Sequence, residues 1–183
     1  MVSIITVNYN GLDDTCDNGS QPSQAEKFRQ YYAIDPQVKV VQNINNGFAG
    51  GNNAGLNVAS GDYLFFINND TYITQPILEA LVRRLGDKQN GGVSPMLKYH
   101  QCTNTITLRN HMIGEREPDN GQYSTPHETA YLHGAAMMIR RDVLQRVGPM
   151  SEVFFLFYEE MDWSVRIRRA GYRLWYEPAS VIY

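Results

Sequence analysis

The sequence predicts an α/β fold in a single domain, with an open, mainly parallel sheet that carries helices on both faces. Strand-like and helix-like segments alternate along the chain, which favours parallel strands joined by helical crossovers. Residues 63–67 are apolar or aromatic throughout, as is typical of a strand buried on both faces. The length of 183 residues, 43% of them hydrophobic and 19% charged, suits one globular domain.

Five segments have the composition of strands, because they are rich in β-branched or apolar residues and are bounded by polar or glycine-rich stretches. They lie at residues 2–7, 38–43, 62–69, 91–97 and 137–139. Three further segments have the composition or apolar spacing of helices, at residues 54–59, 75–85 and about 159–170. Each of these is closed by a glycine, namely Gly61, Gly86 or Gly171, the residue that commonly ends a helix.

Charge and cysteine content argue against several classes of function. A net charge of −3 gives no electrostatic footprint for nucleic acid, so no nucleic-acid partner is expected. Cys16 and Cys102 lack CxxC spacing, which implies neither a disulfide framework nor a zinc site and favours a reducing compartment. No apolar run approaches the roughly 18 residues of a membrane span, so no transmembrane segment is expected in this chain.

Polar residues follow the buried strand at residues 63–67. Asn68, Asn69 and Asp70 come directly after it, and in open α/β sheets ligands bind at the carboxyl ends of the strands. A carboxylate there can hold Mg²⁺, which typically uses only one or two carboxylates together with substrate phosphates. The alternative is a simple turn, since Asn and Asp side chains hydrogen-bond their own backbone. The stretch alone leaves both interpretations open.

A second polar stretch, residues 43–55, is rich in glycine and asparagine. Such a loop offers many backbone donors and little bulk, so at the start of a helix it can approach a phosphate or a sugar closely. It is neither a P-loop nor a GxGxxG motif. Composition alone does not decide between a binding loop and a structural one, and the stretch Asn8 to Gly11 shares this ambiguity.

The last third of the chain supplies the remaining candidates. His133 and Gly134 lead into the strand at residues 137–139, which indicates close backbone approach; a lone histidine in this setting is more often structural than catalytic.

Three carboxylates, Glu159, Glu160 and Asp162, open the last helix. The helix macrodipole favours acids in the first turn, and Asp162 can pair with Arg166 one turn later. These reasons explain a third carboxylate, beside the aromatic run at residues 154–158, less well, and a raised pKa there would suit a general base.

Seven blocks of this sequence resemble glycosyltransferase family 2, the inverting transferases of GT-A type, Rossmann-like fold. In the family's order they are VSIITVNYNG, DNGS, NNGFAGGNNAGL, GDYLFFINNDT, HGAAMMIRRDVLQRVG, FFLFYEEMDWSVRIRRAGY and YEPASVIY. The resemblance covers nearly the whole chain and is nearest to the rhamnosyltransferase-like branch, in which Asn-Asn-Asp often replaces the Asp-x-Asp metal motif. It implies a nucleotide-sugar half at about residues 1–95 and an acceptor half at about residues 96–183 of one catalytic domain.

The resemblance also implies roles for the matching residues. Asp70 would hold Mg²⁺ or Mn²⁺ against the donor diphosphate. Glu160 would be the general base, with Glu159, Asp162 and His133 as supporting residues. The residues expected to bind the nucleotide sugar are Asn8, Tyr9, Asp17, Gly47, Phe48, Asn52, Asn68 and Gly134.

The sequence departs from the family in two places. A helix and a second strand normally lie between VNYNG and DNGS, and residues 12–16 are too few for a crossover of about a dozen residues. We therefore expect a missing segment between Cys16 and Asp17. The chain also stops at Tyr183, just before the histidine that joins the metal site in many relatives.

The expected function is metal-dependent, inverting transfer of a sugar from a dTDP- or UDP-linked donor to a saccharide or lipid-linked acceptor, in surface polysaccharide synthesis. The expected location is cytoplasmic, peripheral at the inner membrane face. Two alternatives stay open: a nucleotidyltransferase, and a non-catalytic carbohydrate-binding remnant.

Overall fold

The computed structural model describes residues 1–7, 16–20, 22–98, 105–108 and 117–183. Its strands are β1 (Val2–Ile5), β2 (Cys16–Asn18), β3 (Val41–Asn43), β4 (Tyr63–Ile67), β5 (Asn90–Lys98), β6 (Thr105–Leu108), β7 (Glu117–Pro118), β8 (His127–Thr129), β9 (Ala136–Arg140) and β10 (Arg173–Ile182). Its helices are α1 (Pro22–Tyr32), α2 (Gly47–Val58), α3 (Leu78–Arg84), α4 (Arg141–Val147) and α5 (Glu159–Arg169).

Eight of these strands form one sheet with the central order β1-β4-β9-β5-β10-β8, while β6 pairs with β5 and β7 with β6. β1, β4, β5 and β10 run in one direction, so the predicted mainly parallel α/β sheet is confirmed. β9 is reversed and lies antiparallel between β4 and β5. Its first residues therefore lie at the edge where β4 ends.

Helices cover both faces of the sheet. On one face, Leu64 and Phe66 of β4 pack with α2, α4 and α5 in a core cluster that includes Trp163. The rings of Phe66 and Trp163 meet edge to face with their centroids 5.3 Å apart. On the other face, Phe65 packs against Leu81 of α3. β4 is thus buried on both faces, as its continuous apolar composition predicts.

The predicted helix ends are partly confirmed. α5 ends at Arg169, and Gly171 adopts a positive φ of 93°, a conformation in which glycine avoids the strain of other residues. α2 starts earlier than predicted, at Gly47, and its C-cap is Ala59 instead of Gly61. Gly61 is needed for another reason, because a Cβ there would lie 2.5 Å from the Ser3 nitrogen. None of the described helices combines the length and apolar character needed to cross a bilayer.

The expected break in the chain between Cys16 and Asp17 stays a prediction; in the structure the two are consecutive residues of β2. The break was required only if β2 paired in parallel with β1. In the structure β2 pairs in parallel with β3 in a separate two-stranded sheet, and α1 provides the crossover between those two strands. That other family members carry more residues at this place remains an expectation.

Candidate active site

Residues that follow β4 lie exposed at the carboxyl edge of the sheet. Asn69 and Asp70 form a turn in which the Thr71 hydroxyl donates to the Asn68 carbonyl at 2.7 Å. No hydrogen bond or ion pair joins the exposed Asp70 carboxylate to another described residue. The turn therefore does not use the Asp70 side chain, and its oxygens are open to a ligand.

The end of β4 is joined to the start of β9. The Asn68 N–H donates to the Ala135 carbonyl at 2.8 Å, extending the antiparallel pairing that matches Ile67 with Ala136. Asn68, His133 and Gly134 are thereby brought to one edge of the sheet. Tyr183, at the end of β10, exchanges two backbone hydrogen bonds with Tyr72, so the last residue also lies beside this edge.

His133 is held in a neutral form. Its backbone N–H donates to the Ser94 hydroxyl at 2.9 Å, and its Nδ1 accepts from the Ala135 N–H at 3.0 Å. An accepting Nδ1 leaves the proton of the neutral ring on Nε2. Burial lowers the pKa of His133 from 6.5 to about 4. Sequence reasoning missed Ser94, whose only signal is a hydroxyl inside an otherwise apolar strand.

Gly134 borders Glu160. A Cβ added at Gly134 would lie 3.6 Å from both Cγ and Cδ of Glu160, so the two residues are in contact across the edge. Leu132, two residues before Gly134, donates its N–H to the Ser164 hydroxyl at 3.0 Å. Glu160 and Ser164 lie one turn apart on α5, so the same helix face holds the segment that leads into β9.

Asp162 is engaged in an ion pair, as predicted. Its Oδ2 accepts from Arg166 Nε at 2.8 Å. The same guanidinium donates to the carbonyls of Val147 and Pro149, both at 2.8 Å. Asp162 therefore orients an arginine that joins α5 to the last residue of α4 and to the segment after it, which is a structural role.

Glu159 and Glu160 differ in their surroundings. The Glu159 side chain is only 3% exposed, and its Oε2 finds no hydrogen-bond partner among the described residues. Glu160 is half-buried, and burial raises its pKa above 4.5, with a further rise from the charge of Glu159. Of the three carboxylates at the start of α5, Glu160 thus combines a raised proton affinity with partial access from solvent.

The glycine-rich loop is packed against the segment before α5. Gly47 has a φ of +89°, and a Cβ there would lie 2.1 Å from the Phe155 carbonyl oxygen. The same oxygen accepts from the Phe48 N–H at 2.8 Å, and Asn45 Oδ1 accepts from the Gly47 N–H at 3.2 Å. Two of the donors at this helix start are therefore satisfied within the protein. Position 47 requires a glycine because the Phe155 backbone leaves no room for a Cβ.

Asparagine side chains around this loop form a network that sequence reasoning missed. It ties β2, β3 and α2 to the segment after α4. Asn18 donates to Asn45 and Gly47, Asn43 donates to Asn18 and Asn46, and Asn53 donates to Met150 and Glu152. Within α2, the buried Asn52 donates to the Phe48 carbonyl. Much of the polarity of residues 43–55 thus serves internal hydrogen bonds, although binding of a nucleotide sugar by Gly47, Phe48 and Asn52 stays a prediction.

Three of the predicted site residues cannot be placed as side chains. Asn8 and Tyr9 lie outside the described residues, and only the backbone of Asp17, in β2, is described. Within the described ranges, no group of three or more His, Cys, Asp or Glu side chains is placed to hold a metal ion.

In open α/β sheets, ligands such as nucleotides bind in the crevice outside the carboxyl ends of the strands. The sequence model of glycosyl transferase family 2 matches residues 15–148, so the chain belongs to that family.

Two curated relatives illustrate the likeness in sequence. The low-salt glycan biosynthesis hexosyltransferase Agl10 of Haloferax volcanii is 24% identical over 201 aligned positions, covering 92% of this chain and 62% of the relative. The pre-mycofactocin glycosyltransferase of Mycobacterium tuberculosis is 26% identical over 150 positions, covering 75% of this chain and 30% of the relative. The chain thus spans less than two thirds of either relative. The first alignment has more positions than the chain has residues, so Agl10 carries residues that this chain lacks.

Two solved structures share the fold. The mannosyltransferase PcManGT from Pyrobaculum calidifontis, in complex with GDP-Man and Mn²⁺, superposes with a TM-score of 0.73 over 99% of this chain and 55% of its own. GalNAc-T7 with UDP, GalNAc and Mn²⁺ superposes with a TM-score of 0.79 over 99% of this chain and 43% of its own. Both are 16% identical to this chain, so they show the GT-A fold alone.

The lowered pKa of His133 predicts a pH-dependent stability. The unfolded histidine takes up a proton near pH 6.5, whereas the folded one does so only near pH 4. The unfolded state therefore binds more protons within this window, and the stabilising contribution, complete above pH 6.5, is lost as the pH falls towards 4. Urea unfolding should show a loss of about 2 kcal/mol between pH 7 and pH 5 from this group.

His133→Asn should remove this dependence, because an amide oxygen can still accept from the Ala135 N–H but does not titrate. His127→Asn is the matched control and should keep the wild-type dependence. An equal pH dependence in wild type and His133→Asn would show that His133 is not the responsible group.

Proposed function

We propose that the chain is the catalytic domain of a metal-dependent, inverting glycosyltransferase. The observation that carries the proposal is the position and proton affinity of Glu160, a half-buried carboxylate in contact with Gly134. Gly134 is two residues before the strand that is hydrogen-bonded to the end of β4, where Asp70 lies exposed. Family membership supports the same chemistry.

Glu160 acts on the acceptor. An acceptor hydroxyl oxygen attacks the anomeric carbon of the donor sugar from the face opposite the nucleoside diphosphate, and its proton passes to Glu160. The new oxygen–carbon bond forms as the bond from that carbon to the phosphate oxygen breaks, and the electron pair leaves with the diphosphate. Attack on the opposite face inverts the anomeric configuration. The raised pKa makes Glu160 a better proton acceptor than an exposed carboxylate.

Asp70 acts on the donor. A carboxylate that is exposed and engaged with no other described residue fits a divalent cation that takes its remaining oxygens from a diphosphate. Asp70 would hold Mg²⁺ or Mn²⁺, with Asn68 nearby, and such a cation would offset negative charge on the departing diphosphate. The Mn²⁺ found with a nucleotide or nucleotide sugar in PcManGT and GalNAc-T7 supports a divalent cation.

The identities of the donor and of the acceptor are proposed from the family resemblance and the relatives, and not from contacts in the site. We propose a dTDP- or UDP-linked donor, in keeping with the rhamnosyltransferase-like Asn-Asn-Asp stretch and with the UDP of GalNAc-T7. A role in surface polysaccharide synthesis is supported by the glycan biosynthesis assigned to Agl10. Asn68 and Asp70 fall in the proposed donor half at about residues 1–95, whereas His133, Gly134 and Glu160 fall in the acceptor half at about residues 96–183. We place the domain in the cytoplasm.

Glu160→Gln should lower the rate of sugar transfer by roughly 10²-fold or more, because an amide of similar size does not accept the proton. Nucleotide affinity, measured by calorimetry, should barely change. Glu160→Asp should retain transfer if the shorter side chain still reaches the acceptor hydroxyl. Wild-type transfer by Glu160→Gln, together with an inactive Glu159→Gln, would assign the base to Glu159.

Asp70→Asn should abolish the part of the nucleoside-diphosphate affinity that depends on Mn²⁺, because a neutral amide replaces the anionic ligand. The thermal unfolding midpoint without ligand should stay unchanged, since the side chain is exposed. Asp62→Asn is the matched control, because Asp62 is exposed at the opposite end of β4. If both variants kept the Mn²⁺-dependent affinity of the wild type, Asp70 would not be the metal ligand.

A further inference from the structure

The segment before α5 displays large apolar side chains to solvent. Val153 is 89% exposed, Phe157 67% and Tyr158 64%, and Phe155 and Leu156 are more than half exposed. We call these five residues the apolar lip. Soluble monomeric proteins rarely expose large contiguous apolar patches, and such patches commonly mark sites of interaction with another protein or with a membrane.

The backbone holds the lip in an outward conformation. Phe157 and Tyr158 have positive φ angles of 70° and 74°, a region that disfavours residues with a Cβ. The Phe155 carbonyl is fixed by the Phe48 N–H, and its close approach requires Gly47. The outward display is therefore imposed by defined contacts and is maintained at the expense of backbone strain.

The exposed face of α5 continues this surface. Met161, Val165, Arg168 and Arg169 are all exposed and share one side of the helix. The helix buries its opposite side, where Trp163 and Ile167 enter the core. Asp162 lies beside the exposed face but is paired with Arg166. The solvent face of α5 thus combines apolar and cationic side chains, and the carboxylate beside it, Asp162, is already paired, in a chain of net charge −3.

We propose that the apolar lip and the exposed face of α5 dock on an anionic lipid bilayer, at the level of the headgroups. Apolar side chains flanked by arginines are the composition that partitions into this interface, since the arginines keep their charges among the phosphates. A second copy of this chain is a poorer occupant, because Asp162, the carboxylate beside this face, is paired with Arg166 and so is not available to Arg168 and Arg169. The proposed docking is argued from these exposed residues and does not depend on the proposed glycosyltransferase activity.

One consequence rests on the proposed function. Tyr158 immediately precedes Glu159 and Glu160, and Met161 follows them, so docking would place the proposed base beside the bilayer boundary. The acceptor hydroxyl would then belong to a membrane-borne molecule, which selects the lipid-linked class of acceptor over a free saccharide.

Sedimentation with vesicles tests the docking. Wild-type chain should bind vesicles of phosphatidylcholine and phosphatidylglycerol, bind pure phosphatidylcholine more weakly, and lose affinity as salt rises. Phe157→Gly and Leu156→Ser should each lower the partition coefficient by about tenfold. Phe157→Gly is informative because glycine tolerates the positive φ, so the variant should fold at least as well as the wild type. Ile34→Ser is the matched control, since Ile34 is 91% exposed outside this surface.

The arginines provide an independent arm. Arg168→Gln and Arg169→Gln should each lower binding to anionic vesicles by about fivefold and leave binding to pure phosphatidylcholine unchanged. Glu160→Gln should bind as the wild type does, so loss of transfer and loss of docking are separable. Absence of wild-type binding to anionic vesicles, or equal binding by wild type and the lip variants, would overturn the proposal. The proposal would also be overturned if substitutions in the lip changed the monomer–dimer equilibrium while the chain bound no vesicles.

Discussion

The antiparallel placement of β9 is the constraint on which the candidate site depends. Because β9 runs against β4, the residues before it arrive at the edge where β4 ends, and the Asn68 N–H meets the Ala135 carbonyl. A parallel strand at this position would carry His133 and Gly134 to the opposite edge of the sheet. One reversed strand thus brings a segment from the last third of the chain to the end of β4, two residues from Asp70.

The packing of α5 against the core then determines the different surroundings of the three carboxylates at its start. Trp163 anchors the helix in the core, where its indole N–H also donates to the Gly148 carbonyl, and Arg166 fastens it to the segment after α4. With the rotation of the helix fixed in this way, Asp162 is paired, Glu159 is buried and Glu160 contacts Gly134. The raised pKa of Glu160 follows from that placement, through burial and the neighbouring charge. The same rotation turns Met161 and Val165 to solvent.

Local patterns in the sequence were sufficient to predict β4, α3 and the end of α5, because apolar periodicity and closing glycines are local signals. They were insufficient to predict features of the fold that depend on pairing between distant segments. The reversed direction of β9 and the pairing of β2 with β3 cannot be derived from either segment alone. The expected break at Cys16 rested on pairing β2 with β1 instead. The asparagines of residues 43–55 show the same limit, since their composition suits a ligand and an internal network equally, and only their partners distinguish the two. The choice of Glu160 as candidate base rested on its position in the family motif and on the structural reasons that the sequence displays for its two neighbours, and it stays a prediction.

A crystal structure of the chain with a nucleoside diphosphate and Mn²⁺ is the most direct test of the central claim, that the two carboxylates serve opposite sides of one bound donor. The account predicts Mn²⁺ within about 2.0–2.3 Å of an Asp70 carboxylate oxygen, bridging to the diphosphate, with the space for the sugar between the diphosphate and Glu160. A nucleotide bound elsewhere, for example in the 370 Å³ groove lined by Arg84, Asn90 and Trp175 near the opposite edge, would contradict it.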